Sequence, residues 1–290
     1  MKKKKLVILV IASRSNIYDK MINEYWKYLI NYCNIKHKNI KIFLIFGNNV
    51  NVNDLSISNK NILVLDCEES YIPGILTKTL KSFKFIKNNY DFKYILRTNL
   101  SSFIILEKLT KYINKLPENN IYCGKIVDAP KEDNATGIYW NLNEDHPLLF
   151  ISGSGILLSK DNIDHILNYY DNKKIRYDLI DDIEIGRILK GKEKQELAYI
   201  EIINNDKNLD VIKLINNNQN NNKYQVRIKN ENDRNLDIKF MKILTNYFYK
   251  DKIEYFSSKN NHCSSNNYKC IILIILIILL SIIFLNYRNK

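Results

Sequence analysis

Leu6-Val7-Ile8-Leu9-Val10-Ile11-Ala12 is an unbroken apolar run of strand length, and the two segments after it decide how it is used. Residues 19–33 place Met21, Ile22, Tyr25, Trp26, Leu29 and Ile30 on one helical stripe, and residues 40–46 form a second apolar run that stops at Gly47. Runs that are apolar on both faces read as strands covered on both sides, and strand, helix, strand in this order points to a parallel sheet. The alternation continues with a strand at 61–66, a helix at 75–88, a strand at 94–97 and a helix at 102–116. Beyond these the pattern becomes mixed. A strand at 149–159 is broken by Gly153 and Gly155, and helices at 161–170 and 181–189 lead to a strand at 197–203. The expectation is an α/β fold with a mixed central sheet and a ligand crevice beyond the carboxyl ends of its strands.

The chain has 290 residues, 46% of them hydrophobic and 26% charged, with 8 Gly and 4 Pro, which excludes collagen-like, proline-rich and wholly disordered classes. Its formal net charge of +13 would suit a polyanion. The lysines and asparagines are spread along the whole chain beside abundant Ile and Tyr rather than gathered on one element, so no nucleic-acid partner is expected. The five cysteines, Cys33, Cys67, Cys123, Cys263 and Cys270, form no C-x-x-C pair and give no zinc or disulfide framework.

Past residue 204 the text thins. Asn216–Asn218 and Asn220–Asn222 form a polar low-complexity loop, followed by a candidate strand at 223–227 and an amphipathic helix at 237–249. A Ser/Asn-rich linker at 257–269 leads to Cys270–Leu285, sixteen residues without a charge, flanked by Lys269 and Arg288. At about 1.5 Å per residue this run reaches roughly 24 Å and suits a thin bilayer. The expected organisation is a body over 1–256, the linker at 257–269 and a transmembrane helix over 270–287. That is a single-pass membrane protein whose C-terminal anchor meets the lipid bilayer and whose body faces the cytosol. Lys2–Lys5 followed by a short apolar run lacks a small-residue cleavage site and reads as a strand rather than a signal peptide. The sequons at Asn99 and Asn134 offer a check on that topology, since glycans on them would place the body in a lumen.

No G-x-G-x-x-G, P-loop, G-x-S-x-G or H-E-x-x-H is present, and His37, His146, His165 and His262 have no evident partners. The unusual text is Phe150-Ile151-Ser152-Gly153-Ser154-Gly155, followed by Asp181-Asp182-Ile183 and Gly186. Glycines at a strand break let backbone approach a ligand. Adjacent carboxylates repel one another and raise one pKa, as a general base requires, although either Asp181 or Asp182 could also be a helix N-cap.

These fragments resemble the inverting glycosyltransferases of the β-1,3-galactosyltransferase and Fringe type. Ser152-Gly153-Ser154-Gly155 with Ser159 is similar to that family's Ser-Gly-Gly strand, and Asp181-Asp182-Ile183 with Gly186 to its acidic element. Tyr71 with Leu76-Thr77-Lys78-Thr79 resembles its Tyr…Leu-Thr-x-Lys-Thr helix, and Tyr122-Cys123-Gly124-Lys125 its Tyr-x-Gly strand. The resemblance covers about residues 5–200. It implies a GT-A-like nucleotide-binding fold, a nucleotide-sugar donor (a UDP-sugar first), a glycan or protein acceptor, and a carboxylate base, Asp182 with Asp181 as the alternative. Where the family holds Mn²⁺ with Asp-x-Asp, this chain has Arg97-Thr98-Asn99-Leu100-Ser101 and both metal carboxylates are gone. Hard divalent cations favour charged oxygens, so three outcomes stand open: cations such as Arg97 neutralise the leaving diphosphate, Mn²⁺ binds weakly, or the chain is a pseudoenzyme, a scaffold on a degenerate fold. Asn99, Ser101, Gly153, Ser154 and Gly155 are further candidate donor contacts. Ser13 and Arg14, just past the first strand, sit where such folds hold the base. Lys78 either reaches a phosphate or lies on a solvated helix face. Arg227, Lys229 and Arg234 are either solvated surface or part of a lid over the donor phosphates.

Overall fold

The computed structural model describes residues 1–129, 142, 148–197, 199–202, 209–217, 223–230 and 232–250. The expected linker and membrane span lie outside the described residues, as does the Asn134 sequon. Among the described residues no helix is long and apolar enough to cross a membrane.

The chain opens with β1 (Lys2–Ile11), a helical line built of α1 (Asn16–Met21), a π-helical turn (Ile22–Trp26) and α2 (Lys27–Lys36), and then β2 (Ile40–Gly47). Next come β3 (Ile62–Leu65), α3 (Gly74–Asn89), β4 (Tyr90–Asn99), β5 (Ser102–Ile104) and α4 (Leu106–Ile113). The mixed region holds β6 (Tyr122–Gly124), β7 (Ile126–Asp128), β8 (Leu149–Ile151), β9 (Gly155–Ser159), α5 (Lys160–Asp171) and α6 (Asp181–Ile188). The last described elements are β10 (Gln195–Glu196), β11 (Ile200–Ile202), α7 (Val211–Asn217), β12 (Gln225–Ile228), α8 (Arg234–Thr245) and a π-helical turn (Asn246–Lys250).

The central sheet has the order β10-β6-β9-β4-β1-β2-β3. It is parallel across β4, β1, β2 and β3, while β9 runs antiparallel to both β4 and β6. The apolar run of β1 serves two cores at once. Leu6, Ile8 and Val10 join Tyr25, Trp26, Leu29, Phe240 and Leu244 on one face, and Val7, Leu9 and Ile11 join Leu76, Leu80, Phe83, Ile163 and Ile166 on the other. Each such side chain contributes about 1.5–3 kcal/mol on full burial, so the strand is held from both sides. Strand order reverses at β1, whose successor β2 lies to one side and β4 to the other. The carboxyl ends of β1 and β4 therefore diverge around a crevice.

Three readings from the sequence are corrected here. β1 begins at Lys2, because β4 starts at Tyr90 and offers Lys2–Lys4 a ladder to pair with. Residues 102–116 are not one helix: Ser102–Ile104 pairs antiparallel with β12, putting Ser102 opposite Arg227, and the helix starts only at Leu106. The run at 149–159 is two strands in different sheets, β8 pairing with β7 and β9 with β4 and β6, with the turn Ser152-Gly153-Ser154 between them.

Candidate active site

A cavity of about 670 Å³ opens at the carboxyl ends of β1 and β4, where the sheet order reverses. Ala12 and Ser13 follow β1, Arg97 and Asn99 end β4, and Gly153 and Ser154 come from the turn before β9. The first turn of α6 adds Asp181 and Asp182, and the β12–α8 segment adds Arg227, Lys229 and Arg234.

The two aspartates have opposite surroundings. Asp181 is buried and gripped by Arg97, with Nε donating to Oδ2 at 2.7 Å and Nη2 to Oδ1 at 2.8 Å; the Thr79 hydroxyl adds a bond to Oδ2 at 2.5 Å. Arg97 also donates to the Gly153 carbonyl. Asp182 is half-buried and faces the cavity, and no cation lies within ion-pair distance of it among the described residues. Its Oδ2 accepts from the Gly153 amide at 2.7 Å and its Oδ1 from the Ile183 amide at 3.0 Å. Loss of water, and then the charge of Asp181, push its pKa up to about 6, against a smaller opposing pull from Arg97. Neither aspartate caps α6, whose N-cap is Ile180; both lie in its first turn, where the helix dipole favours carboxylates.

Gly153 lets the turn lie close against both charged side chains. A Cβ there would lie 2.7 Å from the Arg97 guanidinium and 2.9 Å from the Asp182 carboxylate, so a larger residue would push both side-chain ends away from the turn. The neighbouring Ser154 carbonyl accepts from Thr98 Oγ1 at 2.6 Å, Ser102 Oγ at 2.8 Å and Gln225 Nε2 at 2.5 Å, which ties the turn to β4, β5 and β12. Gly155 sits under Gln225.

All four sequence fragments meet around this site. Thr79 of α3 holds Asp181, the Tyr122 hydroxyl accepts from the Ile151 amide, and the Lys125 carbonyl accepts from the Ser152 amide. Several expected donor contacts are committed elsewhere. Arg97 closes on Asp181 and so is not a free cation. Lys78 is buried rather than solvated, donating to the Ala12 carbonyl at 2.8 Å and to Glu69 at 2.9 Å. Arg14 is paired with Asp19 and Asp54, which raises its pKa, and it does not line the cavity, whereas Ser13 does.

The opposite wall is cationic. Arg227 donates to Asn99 Oδ1, and no carboxylate lies within ion-pair distance of it among the described residues. Arg234 donates from Nη2 to Ser101 Oγ at 2.9 Å and is seated by the fully buried Asp237, 2.5 Å from Nε. Burial, with repulsion from Arg234 and Arg97 acting in the same direction, lowers the Arg227 pKa, though a guanidinium stays charged at neutral pH. Asn99 and Ser101 therefore do not suit a divalent cation. Their oxygens are neutral, each already accepts from an arginine, and a metal between them would face two positive charges at a cost on the order of several kcal/mol. Among the described residues no group of three or more His, Cys, Asp or Glu could hold a metal.

Arg227, Arg234, Glu69 and Thr79 are the lining or supporting residues that sequence reading missed or left undecided. Thr79 stood in the quoted Leu76-Thr77-Lys78-Thr79 motif without a role of its own, Arg227 and Arg234 were marked by a basic cluster, and Glu69 had no local signal.

No protein-family model matches the chain, and no curated protein matches it in sequence. Similar solved structures include a glycosyltransferase involved in glycosylation of the major capsid of PBCV-1, with a TM-score of 0.44 and 10% identity over 82% of this chain and 99% of that one. The galactosyltransferase LgtC, in complex with donor and acceptor sugar analogues, scores 0.41 at 10% identity over 82% and 95% of the two chains. The apo glycosyltransferase GlyE of Streptococcus pneumoniae TIGR4 scores 0.43 at 12% identity over 89% of this chain and 64% of that one.

Proposed function

We propose that the chain is a glycosyltransferase of GT-A type that moves a sugar from a nucleotide-sugar donor to an acceptor hydroxyl with inversion. The observation that carries this reading is Asp182: a carboxylate without a cation partner, aimed into a cavity at the switch point of the sheet, with its pKa raised to about 6. A base poised near neutral pH suits removal of a proton from a hydroxyl at the moment of attack. In that step the acceptor oxygen passes its proton to Asp182 and bonds to the anomeric carbon. The bond from that carbon to the diphosphate oxygen breaks, and its electron pair leaves with the nucleoside diphosphate. A single displacement inverts the anomeric centre. Asp181, held in its ion pair with Arg97, keeps its neighbour's pKa up by its charge rather than acting as the base.

UDP-sugars are the first donors to test and glycan or protein hydroxyls the first acceptors, as the family resemblance implies. The same reading puts the body at a lipid bilayer through residues 270–287, on the cytosolic side; absence of a mobility shift on N-glycanase treatment of the native protein would agree. The decisive assay is sugar transfer by the full chain across a panel of nucleotide sugars, beside Asp182→Asn. The variant should lose about 10²–10⁴-fold in turnover while keeping its fold. Turnover equal to the parent's would remove Asp182 from the chemistry.

A further inference from the structure

We infer that the pyrophosphate of the donor is held by a guanidinium pair, Arg227 and Arg234, standing where a divalent cation would otherwise sit. This rests on the nucleotide-sugar reading of the cavity and adds to it how the diphosphate charge is met.

Four observations converge. Asn99 and Ser101 occupy the positions at which the resembled pattern has its Asp-x-Asp, and they present neutral oxygens. Each of those oxygens accepts a hydrogen bond from one arginine, Asn99 from Arg227 and Ser101 from Arg234. The pairing of β5 with β12 makes this geometric, since it sets Arg227 directly across from Ser102 at the cavity edge. On the facing wall Arg97 is closed on Asp181 and Lys78 on Glu69, and Arg14 beside it on Asp19 and Asp54; Arg234 also has a carboxylate, Asp237, but on its Nε side, with Nη2 turned to Ser101.

The substitution of neutral for acidic side chains then has a physical meaning. An Asp at either position would pair with its arginine and cancel the charge. At Arg227 the amide oxygen orients the guanidinium and leaves its charge for a ligand, whereas Arg234 is paired with Asp237 through Nε and offers its remaining N–H groups, turned toward Ser101. Arg227 is held half-buried with no carboxylate within ion-pair distance among the described residues, its cross-strand neighbour Glu201 being paired with Lys125, an arrangement that favours uptake of an anion. A guanidinium presents its N–H groups as a planar fork that fits two phosphate oxygens, so two of them can hold a diphosphate and stabilise the charge that grows on it as the sugar leaves. Asp237 positions Arg234 and is itself held by the Asn230 amides at 2.9 and 2.7 Å, so the fork does not swing freely.

The test is binding of three probes, UDP, inorganic pyrophosphate and uridine, to the full chain by calorimetry, once in EDTA and once in Mn²⁺. UDP and pyrophosphate should bind with the same affinity in both. Arg227→Gln and Arg234→Gln should each weaken UDP and pyrophosphate by about 10–100-fold and leave uridine unchanged. Asn99→Asp should weaken them by about tenfold without rescue by Mn²⁺, because the new carboxylate pairs with Arg227. Arg227→Lys, which keeps the charge but loses the fork, should fall between parent and Arg227→Gln, and an unchanged melting temperature in each variant separates lost binding from lost fold. UDP binding that appears only with Mn²⁺, or that is untouched in both Gln variants, overturns the guanidinium pair while leaving the nucleotide-sugar reading in place. Failure of the parent to bind UDP or pyrophosphate in either condition overturns both.

Discussion

On the wall of the cavity built by α3, β4 and α6, each cation has its carboxylate: Arg97 closes on Asp181 and Lys78 on Glu69. On the wall built by β5, β12 and α8, Arg227 rests on an amide oxygen and Arg234 on a hydroxyl as well as on Asp237. The same contrast recurs within one helical turn. Asp181 is ion-paired and Asp182, one residue on, is left without a cation within ion-pair distance among the described residues. Charges closed within the protein hold the architecture, and those left open face the cavity. Function is therefore sought at Asp182 and Arg227, and stability at Arg97 and Asp181.

Substitution can break that division. Asp181→Asn should show the largest stability effect, about 3–5 kcal/mol lower by denaturant titration, because it strands the buried Arg97 guanidinium. It should also lower the Asp182 pKa, since a repelling charge is gone. If Asp181→Asn is neutral in stability, the closed wall is not structural.

Asp182→Asn should move stability the other way at neutral pH. A carboxyl whose pKa rises from 3.8 to about 6 on folding keeps its proton longer in the folded state than in the unfolded one. Its contribution is greatest below 3.8, falls as pH rises through the window from 3.8 to about 6, and is least favourable above it. Removing the charge should therefore raise stability by about 1–2 kcal/mol at pH 7.5, with the gain gone near pH 3.5. A variant that is less stable at pH 7.5 would mean that Asp182 is also a structural charge.

Gly153→Ala should lower stability by about 1–2 kcal/mol, an effect no larger than that of Asp182→Asn, since the turn and the ends of Arg97 and Asp182 must shift apart. The same shift moves the amide that holds Asp182, so turnover should fall more than stability does. Equal losses in both would place Gly153 with the architecture alone.

The closed wall was partly legible in the sequence. The apolar run from Leu6 to Ala12 is one strand because its successive residues serve two cores, and a run with no polar face is visible without a structure. Asp181-Asp182 announced a repelling pair, but which of the two stays without a cation depends on Arg97, 84 residues away in sequence. The open wall was illegible for a related reason. Arg227 reaches Asn99 across 128 residues, and Arg234 reaches Ser101 across 133. The strand that joins them, β5, carries Phe103 and Ile104 in a run that a helix would accommodate equally well. Only the partner strand β12 decides it, so local pattern left Arg227 and Arg234 undecided between solvated surface and lid.

The most direct measurement of the central claim is the pH dependence of kcat/KM for sugar transfer by the full chain, beside Asp182→Asn. The parent should rise about tenfold per pH unit at low pH and level above about pH 6, as Asp182 gives up its proton, and the variant should be slow with that limb absent. A variant that keeps the parent's rate and the same limb near pH 6 would contradict the assignment of Asp182 as the base.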